Sequence, residues 1–195
     1  MIRTLISSIS AVALLASAVV PAFAADTLVI STANPPQHMA TKTMQKFADA
    51  LAERSGGALK ADIFDSSQLY NSRDVAKAVA RGDVGFANVP SPYLGRAVGS
   101  INVLDLPMLN GMTQEERGEM LDGPLGQELS RLLEEKMGLE VPGNWPLMGP
   151  IMYWSTDKPL TSFDEFKGMN MRIPGGAAPA ARVKAMGSIA VKMPG

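Results

Sequence analysis

Two periods of hydrophobic and polar positions alternate along the chain. Residues 27–31 are a near-continuous apolar run of strand length, followed by the turn-rich segment Thr32-Ala-Asn-Pro-Pro-Gln-His38. Apolar residues then fall at Ala40, Met44, Phe47, Ala48 and Leu51, one face of a helix that Gly56-Gly57 stops. Residues 59–64 predict a second strand and 65–70 a polar loop. A helix capped by Ser72 follows, running to Arg81 and ending at Gly82. Residues 84–88 predict a third strand, leading into the Pro-rich loop 89–93. This strand–helix–strand–helix–strand order predicts an α/β fold with a parallel, helix-covered sheet.

The pattern continues with an apolar run at 101–106, closed by Pro107. Thr113 and Glu116 have the spacing of a capping box, and Pro124 suits a first helical position. Leu125, Leu129, Leu132 and Leu133 stripe the helix that follows, up to Gly138. Residues 139–141 predict a short strand, and Pro142-Gly-Asn-Trp-Pro146 an irregular junction. Beyond it, 150–156 predicts a strand. Thr161 or Ser162, with Glu165, predicts a capped short helix ending at Lys167-Gly168. Residues 169–173 alternate as a strand, Pro174-Gly175-Gly176 turns the chain, 177–186 is a helix, and a last strand begins at Ile189. The expected organisation is a leader over 1–24, an N-terminal α/β domain over 25–144, and the start of a second α/β domain over 145–195. That second domain has too few elements to close a sheet, which predicts a longer polypeptide.

Residues 1–24 read as an export signal: Arg3 is the positive flank, 5–20 a mostly apolar run, and Ala22-Phe23-Ala24 a cleavage site. The alternative, a retained anchor, is opposed by the serines that dilute the run and by Pro21. The expected compartment is a bacterial periplasm or the exterior, with no membrane insertion after cleavage. Lys plus Arg is 18 and Asp plus Glu 19, so there is no basic surplus for nucleic acid. One histidine and no cysteine exclude disulfides, thiol catalysis and cysteine-based metal sites.

No nucleophile elbow, zinc helix, P-loop or dinucleotide fingerprint occurs, so neither an enzyme nor a cofactor is expected. What remains is a set of loops at the carboxyl ends of successive predicted strands, where open α/β sheets bind ligands. They carry Asn34, His38, Gln68 and Asn88, with Trp145 at the junction and Arg172 at the end of a strand just before a helix. A helix N-terminus favours an anion, and a guanidinium beside it offers a planar fork matched to a carboxylate. Taken alone, Arg172 is equally a surface arginine, the other five are equally loop-packing residues, and Trp145 is equally a core residue.

The segments Ala52-Glu-Arg-Ser-Gly-Gly57, Ser67-Gln-Leu69, Ala80-Arg-Gly-Asp-Val84, Val103-Leu-Asp-Leu-Pro-Met108 and Leu121-Asp-Gly-Pro-Leu125 recur in one family in this order. The most specific is Phe163-Asp-Glu-Phe-Lys-Gly-Met-Asn-Met-Arg-Ile-Pro174. On these residues the chain resembles the solute-binding subunits of tripartite ATP-independent periplasmic (TRAP) transporters, of the DctP type. The resemblance implies a two-domain periplasmic binding protein fold (type II-like), closing on a ligand between the domains. It implies that Arg172 holds the carboxylate of a small organic acid, and that the loaded protein, expected as a monomer, serves a TRAP membrane permease. Tyr70 stands where the family usually has glycine. The strand predicted before the signature carries no arginine, which argues against a sialate-type ligand. The readings kept beside this one are a binding protein for another importer or a sensor, a secreted α/β enzyme, and a non-functional gene fragment.

Overall fold

The computed structural model describes residues 26–149 and 151–193. The export-signal reading of 1–24 lies outside the described residues. Strand β1 (Asp26–Ser31) is the centre of a parallel three-stranded sheet, with β2 (Leu59–Phe64) on one side and β3 (Phe86–Ala87) on the other. The register pairs Asp26 with Leu59 through Ser31 with Phe64, and Ile30 with Phe86. Helix α1 (Met39–Arg54) crosses between β1 and β2 and buries Ala40, Thr41, Met44 and Ala48. Phe47 sits at the margin of that face and stacks on Phe86, ring centroids 5.3 Å apart.

The third strand is shorter than its apolar run, although the backbone at Gly85 already lies against β1. The Gly85 N–H donates to Val29 O at 3.0 Å, and a Cβ there would meet Leu28 Cδ1 at 2.4 Å. Helix α2 (Val75–Arg81) starts later than expected, and Ser72 does not cap it. Asn71 organises the entry instead: its Oδ1 accepts from the N–H groups of Arg73 at 2.9 Å and Asp74 at 3.2 Å. A short amide side chain can mimic a backbone turn, whereas Ser72 is buried.

Helix α3 (Ser91–Leu94) and a 3-10 segment, Gly99–Asp105, follow β3, the latter taking up most of the apolar run at 101–106. Helix α4 (Gln114–Asp122) begins with the expected capping box. Thr113 Oγ1 accepts from the Glu116 N–H at 3.1 Å, and Glu116 Oε2 accepts from the Thr113 N–H at 2.7 Å. Those donors hold the Glu116 carboxyl below its usual range. Helix α5 (Pro124–Met137) starts at Pro124 and ends at Gly138 in a left-handed cap. Its buried Leu129 and Leu133 join Ala76, Leu94, Val98 and Ile101 in the main core. Burying each such leucine contributes about 1.5–3 kcal/mol relative to leaving it exposed.

Two expected strands do not form. Residues 139–141 form no regular element, and neither do the described residues of 150–156. Ile151 is 70% and Trp154 88% exposed. An apolar run becomes a strand only against a partner, and among the described residues none adjoins these segments. The second sheet contains β4 (Asn170–Ile173) and β5 (Ile189–Lys192) in parallel, Asn170 opposite Ile189. Helix α6 (Ala177–Ala185) connects them, and Met171, Ile173, Val183 and Met186 form its core. The short helix expected after Ser162 is a 3-10 turn, Phe163–Phe166, where Glu165 Oε2 accepts from the Ser162 N–H at 2.8 Å. Among the described residues, no helix is long and apolar enough to cross a membrane.

Candidate functional site

The loops after β1, β2 and β3 meet on Asn34. Its N–H and Nδ2 donate to Thr32 Oγ1 at 3.2 and 3.3 Å, and Nδ2 also lies 3.4 Å from Asn88 Oδ1. Its carbonyl accepts from Thr41 Oγ1 at 3.3 Å and from the Ser66 N–H at 3.0 Å, while the Ser67 N–H donates to Thr32 O at 3.1 Å. Ser66 (φ 50°) and Ser67 (φ 60°) are both left-handed, a conformation costly for non-glycine residues. Their two backbone hydrogen bonds to the β1 loop hold them there. Thr32 and Thr41 were missed in the sequence. Ser66 and Ser67 lie in the polar loop expected at a strand end, but that run gives no φ angles.

Of the other expected residues, Gln68 is exposed in this loop, its Nε2 3.5 Å from Asp65 Oδ1. His38 caps α1: its Nδ1 accepts from the Ala40 N–H at 3.1 Å. Trp145 is half-buried and donates from Nε1 to Ser130 Oγ at 2.9 Å and Gly126 O at 3.2 Å, which ties the junction to α5. Trp145 and Asn88, with Phe47, Phe86 and Leu147, line a largely apolar cavity of about 520 Å3. Asn34, His38, Gln68 and Arg172 are outside its lining.

Arg172 lies on the exposed face of β4, between buried Met171 and Ile173, one residue from the carboxyl end of the strand. Its Nε donates to Met193 O at 2.9 Å. Among the described residues neither Nη group has a protein partner. Gly175 (φ 145°) and Gly176 (φ 84°) then turn the chain into α6. A Cβ on Gly176 would stand 3.1 Å from Pro92 O, so this turn packs closely on helix α3, which follows β3. Further along α6, Arg182 Nη2 lies 4.0 Å from Asp105 Oδ1. Burial holds the Asp105 carboxyl above its usual range, with Arg182 opposing the shift. Among the described residues, no three His, Asp or Glu side chains gather as metal ligands.

The family model for bacterial extracellular solute-binding protein family 7, DctP, matches residues 30–195. The chain belongs to this family. Over 96% of its length this DctP-family chain is 29% identical to the C4-dicarboxylate-binding periplasmic protein DctP of Rhodobacter capsulatus, covering 56% of that protein. It is 30% identical over 81% of its length to the 2,3-diketo-L-gulonate-binding periplasmic protein YiaO of Escherichia coli, covering 46% of it. A TRAP periplasmic solute-binding protein of Sulfurospirillum deleyianum with bound succinate superposes with a TM-score of 0.75 at 24% identity. That match covers 88% of this chain and 54% of the other. One of Desulfovibrio salexigens with bound orotic acid gives 0.76 at 22%, covering 86% and 53%. The fold is therefore the α/β architecture of TRAP solute-binding proteins. The chain spans about half the length of the curated relatives it matches.

Proposed function

We propose that this DctP-family protein is a periplasmic subunit that captures a small organic acid and delivers it, as a monomer, to a TRAP-type permease. It performs no chemistry on its ligand. The observation that carries the reading is Arg172: exposed on β4, anchored through Nε, with both Nη groups open among the described residues, and placed just before a turn that packs on α3, next after β3. Anchoring one guanidinium nitrogen fixes the plane of the fork and leaves two donors for a carboxylate. The Asn34–Asn88 amide pair and the Gln68 loop supply neutral partners at the sheet end for the remaining ligand oxygens. His38 contributes through its free Nε2, and Trp145 through the wall of the cavity that it shares with Asn88. Similar proteins hold succinate, orotic acid or galacturonate, and one is a C4-dicarboxylate-binding protein; all of these ligands carry carboxyl groups.

A thermal melt with succinate, galacturonate and orotate tests this. A ligand that binds only the folded form at a hundredfold excess over its Kd stabilises by about 2.7 kcal/mol, so one acid should raise the midpoint. Arg172→Ala should abolish the shift. Arg172→Lys keeps the charge but loses the fork, so affinity should fall roughly 10- to 150-fold, the loss of one charge-assisted hydrogen bond. Unchanged carboxylate affinity in Arg172→Ala sinks the assignment. Co-purification with the permease subunits separates a TRAP role from service to another importer or a sensor.

A further inference from the structure

We infer that Asp105 and Arg182 form a clamp that sets how α6, and with it the Arg172 side of the proposed cleft, stands against the first α/β unit. Among the described residues this is the sole ion pair joining 26–149 to 151–193, and no hydrogen bond joins them. The Asp105 side chain is 7% and that of Arg182 22% exposed, so the pair is shielded from water. Val183, next to Arg182, is buried against Met171 and Ile173 of the second sheet. Helix α6 is thus held between the sheet that carries Arg172 and the 3-10 segment that carries Asp105.

The contact is incomplete. Among the described residues Asp105 Oδ2 and Arg182 Nε are buried without a partner, and they are the atoms a bidentate pair would add to Nη2 and Oδ1. A charge-assisted bond closes to about 2.8 Å, so an approach of about 1 Å by α6 brings Nη2 and Oδ1 from 4.0 Å to bonding distance. A buried pair of this kind contributes little net stability, since desolvation offsets the attraction. Its geometry is specific, however. Loss of either partner leaves an uncompensated buried group, relieved by α6 moving away to admit water or, for Asp105, by uptake of a proton. Asp105 and Arg182 are positioning residues; they need not touch ligand.

The chain has no cysteine, so spin labels can be placed without removing native thiols. Lys46→Cys and Lys184→Cys put labels at exposed positions on α1 and α6, and Lys46→Cys with Lys136→Cys gives a control pair within the first unit. Distance distributions are read by electron spin echo on the full chain without ligand. Asp105→Asn and Arg182→Met should broaden or lengthen the 46–184 distribution and leave 46–136 unchanged. Distributions superimposable on the parent overturn the clamp, and so does equal broadening of both pairs, which marks general loosening. If Arg182→Met does not fold, Arg182→Lys carries the same test, because an ammonium cannot make the two-pronged contact. The clamp's role in binding rests on the cleft reading, but this measurement needs no ligand. Failure of carboxylate binding would overturn the cleft and leave the clamp standing.

Discussion

At the residue scale, two charged side chains behave in opposite ways. Arg172 is exposed and held by one nitrogen, so its proposed role rests on orientation; Asp105 is buried, and its carboxyl is costly to ionise. The sign of the pH effect follows. The Asp105 pKa is raised by folding, so the folded state holds that proton more tightly than the unfolded chain. Its stabilising contribution is full below the unfolded value of about 3.9 and is lost as pH rises through the raised folded value. The midpoint advantage of the natural chain over Asp105→Asn should therefore shrink as melts move from pH 4 towards neutrality. An advantage that grows over that interval contradicts burial as the dominant influence on this carboxyl.

At the element scale, the junction of α4 and α5 has the least room for change. A Cβ on Gly126 would fall 1.7 Å from Leu121 O, which is backbone and cannot swing aside. The Gly126 carbonyl also accepts from Ser130 Oγ at 2.8 Å and from Trp145 Nε1 at 3.2 Å. Gly126→Ala must push α5 off α4 and disturb the Trp145 anchor together. We expect a loss of about 3 kcal/mol, at the upper end of ordinary overpacking, seen as a lower denaturation midpoint and altered Trp fluorescence. An unchanged midpoint would mean that the two helices separate at little cost. The capping box at Thr113 and the proline start at Pro124 were legible in the sequence because each is a local hydrogen-bond or dihedral rule. The close approach at Gly126 was not, since it depends on where another helix places a carbonyl.

At the scale of the whole molecule, the leader reading makes a direct prediction. Chain exported from a bacterial host should have the intact mass of residues 25–195, cleaved after Ala24; a retained leader would show instead as the mass of the full sequence. The sequence by itself determined the α/β class, the parallel order of the first sheet, most helix limits and the family, through 163–174 above all. These rest on hydrophobic period, caps and glycine stops, which act over a few residues. Only the tertiary structure decided that 150–156 forms no ladder within the described residues, since a strand needs a neighbour. It also gave His38 a capping role, tied Trp145 to Ser130, gathered the sheet-end loops on Asn34, and brought Arg182 to Asp105 across 77 positions of chain. Apart from the His38 cap, which is local, those contacts join residues distant in sequence, and no local spacing encodes which partner a side chain will meet.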